Sequence, residues 1–179
     1  VALRGRHNRQ NAMAAVALAA HAGAGRQALA EGLASFPGVA HRLEVVADVA
    51  GVRYVNDSKA TNPDAALAAL DAYPERVHLI VGGRGKGTSF DGLARAARAG
   101  VVQAYLVGEA GAEIGTALAR EGVPVMDAGT IAVAVAAAAR HAVAGDVVLL
   151  APACTSFDHY ANFEERGHDF RAAVELLRV

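Results

Sequence analysis

Short apolar segments alternate with longer segments of helical spacing along most of the chain. The short segments, which we predict to be strands, are residues 52–55, 77–81, 101–107, 124–126 and 147–151. The predicted helices that follow them are residues 63–70, 90–99, 110–121, 130–143 and much of 160–177. This alternation predicts an α/β, Rossmann-like fold: a mostly parallel sheet of about six strands, with helices on both faces.

The chain before residue 52 has a different pattern. Residues 43–49 are apolar and β-branched, and Ala50-Gly51 separates them from the next strand. This predicts a β-hairpin, and hence one antiparallel edge strand in the sheet. Farther upstream, residues 8–23 and 27–36 are predicted helices, and residues 1–6 are expected to form the end of a strand.

A domain boundary is predicted near residue 38. Pro37-Gly38 ends the second helix, and a strand pattern begins soon afterwards. We therefore expect residues 1–38 and 39–179 to belong to different domains. Asn8 and Asn11 are three residues apart at the start of the first helix and share a face. Either one of them caps the helix or both amides face a ligand, and the sequence leaves both interpretations open.

Three predicted strands are followed by loops that are rich in polar residues or glycine. These loops are residues 56–62, 82–89 and 152–158, whereas the other strand ends, 108–109 and 127–129, are plain. Parallel strands place their carboxyl ends on one edge of the sheet, where α/β proteins bind ligands. One shared site explains three such loops better than three unrelated accidents.

Of the 17 lysines and arginines of the chain, two are lysines. They are Lys59 in the first of these loops and Lys86 in the second. One interpretation is that these two positions require a compact ammonium rather than a guanidinium, and the alternative is chance placement. Glycines in loop 82–89 let backbone N–H groups approach an anion, a carboxylate or a phosphate, and Lys86 adds charge. The loop matches neither the Walker A motif nor G-x-G-x-x-G, so a flexible turn is the other interpretation.

The remaining loop residues leave several roles open. Asn62 suits the N-cap of the helix that begins at Pro63, which does not account for the other polar residues of that loop. In loop 152–158, Cys154 or Ser156 with His159 would be candidates for a nucleophile site. The alternatives are a buried thiol and a Ser156 hydroxyl that caps a helix or binds an anion. Three charged residues farther on are predicted to form a solvent-exposed helix face: Glu164, Glu165 and Arg166.

Composition excludes several classes of function. A net charge of -1 gives no indication of nucleic-acid binding or of an anionic membrane surface. The longest apolar runs, such as residues 131–139, are too short to span a bilayer, so we expect no membrane insertion. Cys154 is the only cysteine, which rules out an internal disulfide and fits a reducing compartment. The seven histidines lack metal-ligand spacing, and we expect no metal site in this chain.

Five segments resemble, in order, the C-terminal third of the Mur ligases. They are residues 7–11 (HNRQN), 41–44 (HRLE), 56–62 (NDSKATN), 82–86 (GGRGK) and 152–167 (PACTSFD through NFEERG). The resemblance covers essentially the whole chain, and loop 56–62 resembles that of the members that add D-glutamate.

The resemblance implies an ATP-dependent amide-bond ligase of peptidoglycan synthesis. Such an enzyme joins D-glutamate to UDP-N-acetylmuramoyl-L-alanine through an acyl phosphate, in the cytoplasm and as a monomer. Residues 1–38 would end the central ATP-binding domain, and residues 39–179 would be the amino-acid-binding domain. ATP and Mg²⁺ would be held mainly by the central domain, so we expect this chain to be inactive alone.

The resemblance also implies roles for particular residues. The ATP contacts would be Asn8, Asn11, Arg42 and Asp57. The D-glutamate contacts would be Thr61, Lys86, Ser156 and Phe163, with Lys59 ranked below them. An ammonium and hydroxyls suit the two carboxylates of D-glutamate, and Arg42 suits a phosphate. The alternative is a non-catalytic Rossmann-like module that binds a small anion.

Overall fold

Six strands form a single sheet in the computed structural model, which describes residues 4–178. In chain order they are β1 (Glu44–Val49), β2 (Val52–Asn56), β3 (Val77–Gly82), β4 (Val101–Val107), β5 (Val125–Gly129) and β6 (Val147–Leu150). The order of strands across the sheet is β1-β2-β6-β3-β4-β5. Apart from the β1–β2 pair, neighbouring strands are parallel, which confirms the predicted topology.

The antiparallel pair is a hairpin with a two-residue turn. Ala50 and Gly51 make the turn with φ angles of 50° and 79°. Positive φ at both turn residues matches the right-handed twist of the flanking strands, which is why such turns are favoured in tight hairpins. The predicted edge strand therefore forms as expected.

Seven α-helices accompany the sheet in the described part of the chain. They are α1 (Arg6–His21), α2 (Arg26–Ser35), α3 (Pro63–Leu70), α4 (Asp91–Ala97), α5 (Gly111–Arg120), α6 (Ile131–His141) and α7 (Phe163–Glu175), and a 3-10 turn at Leu176–Arg178 follows α7. Helices α3, α4 and α5 cover one face of the sheet, and α6 and α7 cover the other. Successive strand residues such as Leu79 and Ile80 enter opposite cores, which explains the continuous apolar strand sequences.

Some predicted boundaries were wrong for identifiable reasons. The last helix, Phe163–Glu175, agrees with the prediction that it takes in much of 160–177, and it begins at Phe163 because the Asn162 side chain caps it by accepting a hydrogen bond from Glu165 N. The strand predicted at 124–126 continues to Gly129, because that residue still pairs with Val107 of β4. Helix α1 already includes Arg6, so no strand ends there. The rest of that predicted strand, residues 1–3, lies outside the described residues, as does residue 179.

Helices α1 and α2 pack little against the rest of the described chain. Asn8 is the single buried residue of α1, and α2 has none. The apolar side chains of Met13 and Leu18 are 71% and 72% exposed. The domain boundary near residue 38 nevertheless stays a prediction. No helix between residues 4 and 178 is both long enough and apolar enough to cross a membrane.

Candidate functional site

The three polar loops meet at one edge of the sheet. We name them loop A (56–62), loop B (82–89) and loop C (152–158). They follow β2, β3 and β6, which are neighbouring parallel strands. Ala153 N of loop C donates a hydrogen bond to Ala60 O of loop A at 2.9 Å. Arg84 of loop B and Thr155 of loop C exchange backbone hydrogen bonds of 2.9 and 3.0 Å. The expectation that the loops share one edge is confirmed.

The first glycines of loop B serve packing rather than anion binding. The N–H groups of Gly82 and Gly83 donate to Pro152 O and Val107 O, so they are already occupied. A Cβ on Gly82 would overlap the Val107 carbonyl oxygen, and one on Gly83 would overlap the Thr155 carbonyl oxygen. Glycine is therefore needed here for the close approach of neighbouring backbones. The predicted anion cradle is wrong for these two residues.

The exposed part of loop B carries Lys86. Residues 84–89 are all exposed, and Lys86 makes no ion pair among residues 4–178. Arg84 differs, because its guanidinium binds Glu109 in two hydrogen bonds of 2.9 and 3.0 Å. Lys86 is thus the loop B cation that is available to a ligand.

The Asn56 side chain fixes the start of loop A. Its Oδ1 accepts from Ser58 N at 3.1 Å, and its Nδ2 donates to His41 Nδ1 at 2.9 Å and to Gly167 O at 3.3 Å. Since the amide nitrogen donates, Nδ1 of His41 must accept, and the neutral ring carries its proton on Nε2. Burial lowers the pKa of His41, and Arg171 lowers it further, which keeps this tautomer neutral.

Asp57 is a buried carboxyl group. Its Oδ1 accepts a hydrogen bond of 3.1 Å from Leu43 N, and the residue is 6% exposed. Burial raises the pKa of Asp57 from 3.8 to about 6, although the Leu43 N–H group and nearby Arg42 lower it. Leu43 has a φ of 45°, so the carboxyl group holds a strained turn that carries Arg42. Asp57 and Arg42, two predicted ATP contacts, are therefore neighbours.

Three predicted D-glutamate contacts lie where loop A meets α7. Lys59 Nζ is 4.9 Å from the centre of the Phe163 ring, which is a cation–π contact. Phe163 is the first residue of α7, and its carbonyl accepts a 2.7 Å hydrogen bond from Ser58 Oγ. Thr61 is half-buried, and its backbone N donates to Lys59 O. Asn62 caps α3 and Pro63 opens it, as predicted.

Loop C contributes a serine and a buried thiol. Ser156 is 2% exposed at the same sheet edge, and its Oγ has no hydrogen-bond partner among the described residues. Cys154 is 1% exposed, and burial raises the pKa of its thiol to about 11. A thiol of this kind stays protonated at neutral pH. His159 is exposed and makes no side-chain hydrogen bond to either residue. The structure therefore favours the alternative of a buried thiol for Cys154.

Arg166 is the residue that the sequence prediction placed wrongly. Glu164 and Glu165 are exposed as predicted, but Arg166 is 2% exposed. Its guanidinium hydrogen-bonds to loop A and loop C. One indication was available in the sequence, because a cation in the first turn or so of a helix opposes the helix dipole and calls for another partner.

The predicted ATP residues of the first helix line a groove. The groove lies between α1 and α2, has a volume of about 480 Å³, and is otherwise largely apolar. Asn8, Asn11 and Arg42 all contribute to its lining, whereas Asp57 does not. Asn8 Nδ2 donates to Arg4 O at 2.8 Å, and the N-cap of α1 is Gly5, so neither asparagine caps the helix.

Acidic and metal-binding side chains are dispersed in the described structure. Within residues 4–178, no group of three or more His, Cys, Asp or Glu side chains is arranged to hold a metal ion. The polar groups gathered at the sheet edge include the ammonium groups of Lys59 and Lys86 and several hydroxyls, which suit an anionic small molecule.

Comparisons with known proteins agree on one family. The model of the family described as "Mur ligase, glutamate ligase domain" matches residues 41–154. UDP-N-acetylmuramoylalanine–D-glutamate ligase of Methylococcus capsulatus is 48% identical over 177 residues, which are 99% of this chain and 38% of that protein. The protein of the same name from Phenylobacterium zucineum is 49% identical over 98% of this chain and 37% of its own length. The chain thus spans less than two fifths of the length of these relatives.

Solved structures of similar fold are more distant in sequence. UDP-N-acetylmuramate–alanine ligase from Thermotoga maritima has a TM-score of 0.75 at 17% identity, covering 97% of this chain and 39% of that one. FolC of E. coli, solved with DHPP and ADP, has a TM-score of 0.62 at 23% identity, covering 94% and 39%. At these identities the structures establish the fold alone. With the family match extending over most of the chain, this chain belongs to the Mur ligase family.

Proposed function

We propose that this chain is the amino-acid-binding part of an ATP-dependent ligase that joins D-glutamate to UDP-N-acetylmuramoyl-L-alanine in peptidoglycan synthesis. The observation that carries the proposal is the shared edge of loops A, B and C, which gathers cationic and hydroxyl groups on one surface. Relatives named for this reaction are 44–49% identical along almost the whole chain, which supports the choice of amino acid.

The amino acid is held, in this proposal, by side chains from all three loops. Lys86 of loop B supplies an ammonium for one carboxylate of D-glutamate, and the hydroxyl groups of Ser156 and Thr61 donate to the carboxylate oxygens. Phe163 supports the site from the first position of α7, next to loop A. Lys59 is the second cation within reach of this region, through its contact with Phe163.

The nucleotide is contacted by a second set of residues. The side-chain amides of Asn8 and Asn11 face the α1–α2 groove and suit the polar edges of adenine and ribose. Arg42 lies at the same groove and suits bidentate contact with phosphate. Asp57 acts mainly through the turn that it holds, because its Oδ1 fixes Leu43 next to Arg42.

The reaction proceeds, in this proposal, through an acyl phosphate. The carboxylate of the nucleotide-linked substrate takes the terminal phosphoryl group of ATP, the amine of D-glutamate attacks the acyl carbon, and inorganic phosphate leaves. ATP with Mg²⁺ supplies the phosphoryl group. The 179 residues contain no G-x-x-x-x-G-K-[ST] motif, so we propose that other parts of the ligase hold the phosphates and that this chain alone is inactive. We further propose a monomeric enzyme that works in the cytoplasm, where both nucleotide substrates are available.

The binding site can be tested by calorimetry of D-glutamate with the full-length ligase. We expect Lys86→Ala and Ser156→Ala each to weaken binding roughly tenfold, since each removes a hydrogen bond to a charged group worth about 1.5 kcal/mol or more. Matched controls are Arg95→Ala and Ser35→Ala, which remove a cation and a hydroxyl from exposed positions on α4 and α2. L-Glutamate serves as the ligand control. Undiminished D-glutamate binding to the double variant Lys86→Ala/Ser156→Ala would refute the site.

A further inference from the structure

Arg166 connects two of the three site loops through its guanidinium group. Its Nε donates to Ser58 Oγ at 3.0 Å, and one terminal nitrogen, Nη2, donates to Ser58 O at 2.9 Å and Cys154 O at 3.1 Å. The other terminal nitrogen, Nη1, donates to Thr155 O at 3.1 Å. Four of its hydrogen bonds therefore hold loop A and loop C at a fixed separation.

The acceptor carbonyls lie within three positions of predicted ligand contacts. Thr155 O belongs to the residue before Ser156, and Ser58 lies three positions before Thr61. Thr155 O also accepts from Arg84 N, which ties loop B to the same oxygen. A Cβ on Gly83 would lie 3.0 Å from Arg166 Nη1, so loop B, loop C and the guanidinium are packed against one another.

Stability alone is a poor explanation for this arginine. A buried cation loses its hydration, and well-packed apolar residues often stabilise a protein as much or more. Carbonyl oxygens and a hydroxyl replace the lost water here, and no carboxylate forms a salt bridge with Arg166 among the described residues. Burial lowers the pKa of Arg166 to about 10, so it still carries its charge at neutral pH. A guanidinium group that is costly to bury but has a fixed planar geometry suits a role in positioning the groups it binds.

We propose that Arg166 is a positioning residue that sets the spacing of loops A and C, and thereby the D-glutamate site, without touching the ligand. The inference rests on the proposed function for the identity of the amino acid. A lysine cannot replace it, because one ammonium cannot present donors in the planar fork that reaches Ser58, Cys154 and Thr155 together. Ser58 Oγ is the partner that passes the constraint to α7, since it donates to Phe163 O.

The test uses the full-length ligase and steady-state phosphate release with each substrate varied in turn. We expect Arg166→Ala to raise the KM for D-glutamate roughly tenfold or more, while the KM for ATP changes less than about threefold. Arg166→Lys should not restore the D-glutamate KM. Ethylguanidinium added to Arg166→Ala should restore part of the lost kcat/KM for D-glutamate, because the ion can occupy the vacated cavity. Ser58→Ala should shift the same KM in the same direction by a smaller factor.

The control variant is Arg178→Ala, which removes an exposed arginine that pairs with Glu175 just beyond α7. It should change neither KM, and ethylguanidinium should not affect it. If Arg166→Ala fails to fold, Arg166→Lys and Ser58→Ala test the proposal instead. Each should raise the KM for D-glutamate more than the KM for ATP. Unchanged kinetics would overturn the proposal, and so would equal losses for both substrates without rescue.

Failure of the proposed function has a different signature. A wild-type ligase that does not use D-glutamate contradicts the proposed function. The positioning role is then tested with whichever amino acid the wild-type enzyme accepts. The KM for that amino acid should show the same selective rise and the same rescue. A selective rise that appears for ATP instead would overturn the positioning role while leaving the proposed function intact.

Discussion

Asp57 is a group whose burial opposes folding at neutral pH, and replacing it with asparagine should stabilise the chain. A carboxyl pKa raised from 3.8 to about 6 in the folded state means that the folded protein holds its proton more tightly than the unfolded chain does. The associated stabilisation is complete below pH 3.8 and is lost as the pH rises through about 6. At pH 8 the cost of the ionised, buried carboxylate is then about 3 kcal/mol, as an order of magnitude.

Asparagine keeps the one hydrogen bond that the structure assigns to this side chain. Its Oδ1 can still accept from Leu43 N, and its amide nitrogen replaces the oxygen that has no hydrogen-bond partner in the described chain. We expect Asp57→Asn to raise the free energy of unfolding by about 1–3 kcal/mol at pH 8. Asp57→Ala should be less stable than Asp57→Asn by about 1–3 kcal/mol, because it also removes the carboxylate but leaves the buried N–H group of Leu43 without an acceptor.

The assay is urea unfolding of wild type and variant, followed by circular dichroism at several pH values. From the two pKa values, the gain from Asp57→Asn should shrink to about a third between pH 8 and pH 4.5. Asp127→Asn is the matched control, because Asp127 also accepts a backbone hydrogen bond, from Gly129 N, but is exposed. It should change stability by less than about 0.5 kcal/mol at either pH.

Two results would refute the reasoning about Asp57. One is an Asp57→Asn variant that is less stable than wild type at pH 8. The other is a gain in stability that does not change between pH 8 and pH 4.5, since only a titrating group produces the pH dependence. If the proposed ATP site is correct, the more stable variant should also be less active in the full-length ligase, which is the usual exchange between stability and function.

Two further predictions concern the packing of Gly167 against His41 and the titration of the buried histidines His41 and His78. Gly167→Ala should destabilise the chain by about 1–3 kcal/mol, because its Cβ would overlap Nδ1 of His41. The control variant Gly92→Ala has open space around its Cβ and should stabilise α4 by about 0.5–1 kcal/mol. Thermal unfolding of both variants checks this prediction, and equal effects would contradict it. Burial lowers the pKa of His41 and His78 below 6.5, so the unfolded chain binds more protons than the folded chain below that pH. The urea midpoint of the Asp57→Asn variant should therefore fall as the pH is lowered from 7 to 5. A constant midpoint would contradict the prediction that these two rings are buried in their neutral form.

The fold was predictable because the patterns that specify its strands, helices and hairpin turn each lie within a short stretch of sequence. The strand sequences alternate with helical ones, and the hairpin is marked by the turn residues Ala50-Gly51. Once the order of elements implies a parallel sheet, the shared edge of the three loops follows from topology alone. The topology is therefore enough to predict that Lys86 and Ser156 lie at the same edge of the sheet.

The contacts that shape the edge were not predictable from spacing. Arg166 binds Ser58 across 108 sequence positions, and nothing near it in the sequence names that partner. The glycines of loop B suggested an anion cradle, but the requirement on Gly82 comes from Val107 on the neighbouring strand. Both errors concern distant backbone groups, whose hydrogen bonds a single sequence does not reveal. The same limit applies to Asp57, whose burial depends on the turn at Leu43.

A buried polar cluster at the opposite edge shows why perturbed acidity alone does not identify a site. His78 lies at the amino end of β3, 3.0 Å from the Tyr105 hydroxyl and 3.2 Å from Asp146 Oδ2. The other oxygen of Asp146 binds Arg76, and Oδ2 also accepts from Val143 N. Burial lowers the pKa of His78, yet both of its ring nitrogens have hydrogen-bond partners within the described chain. Neither nitrogen is therefore available to bind a ligand. Loops A, B and C differ because their backbone groups bind one another and leave Lys86 and the Ser156 hydroxyl without partners among residues 4–178. Groups left unpaired on a rigid edge, rather than shifted pKa values, are what a small anion can recognise.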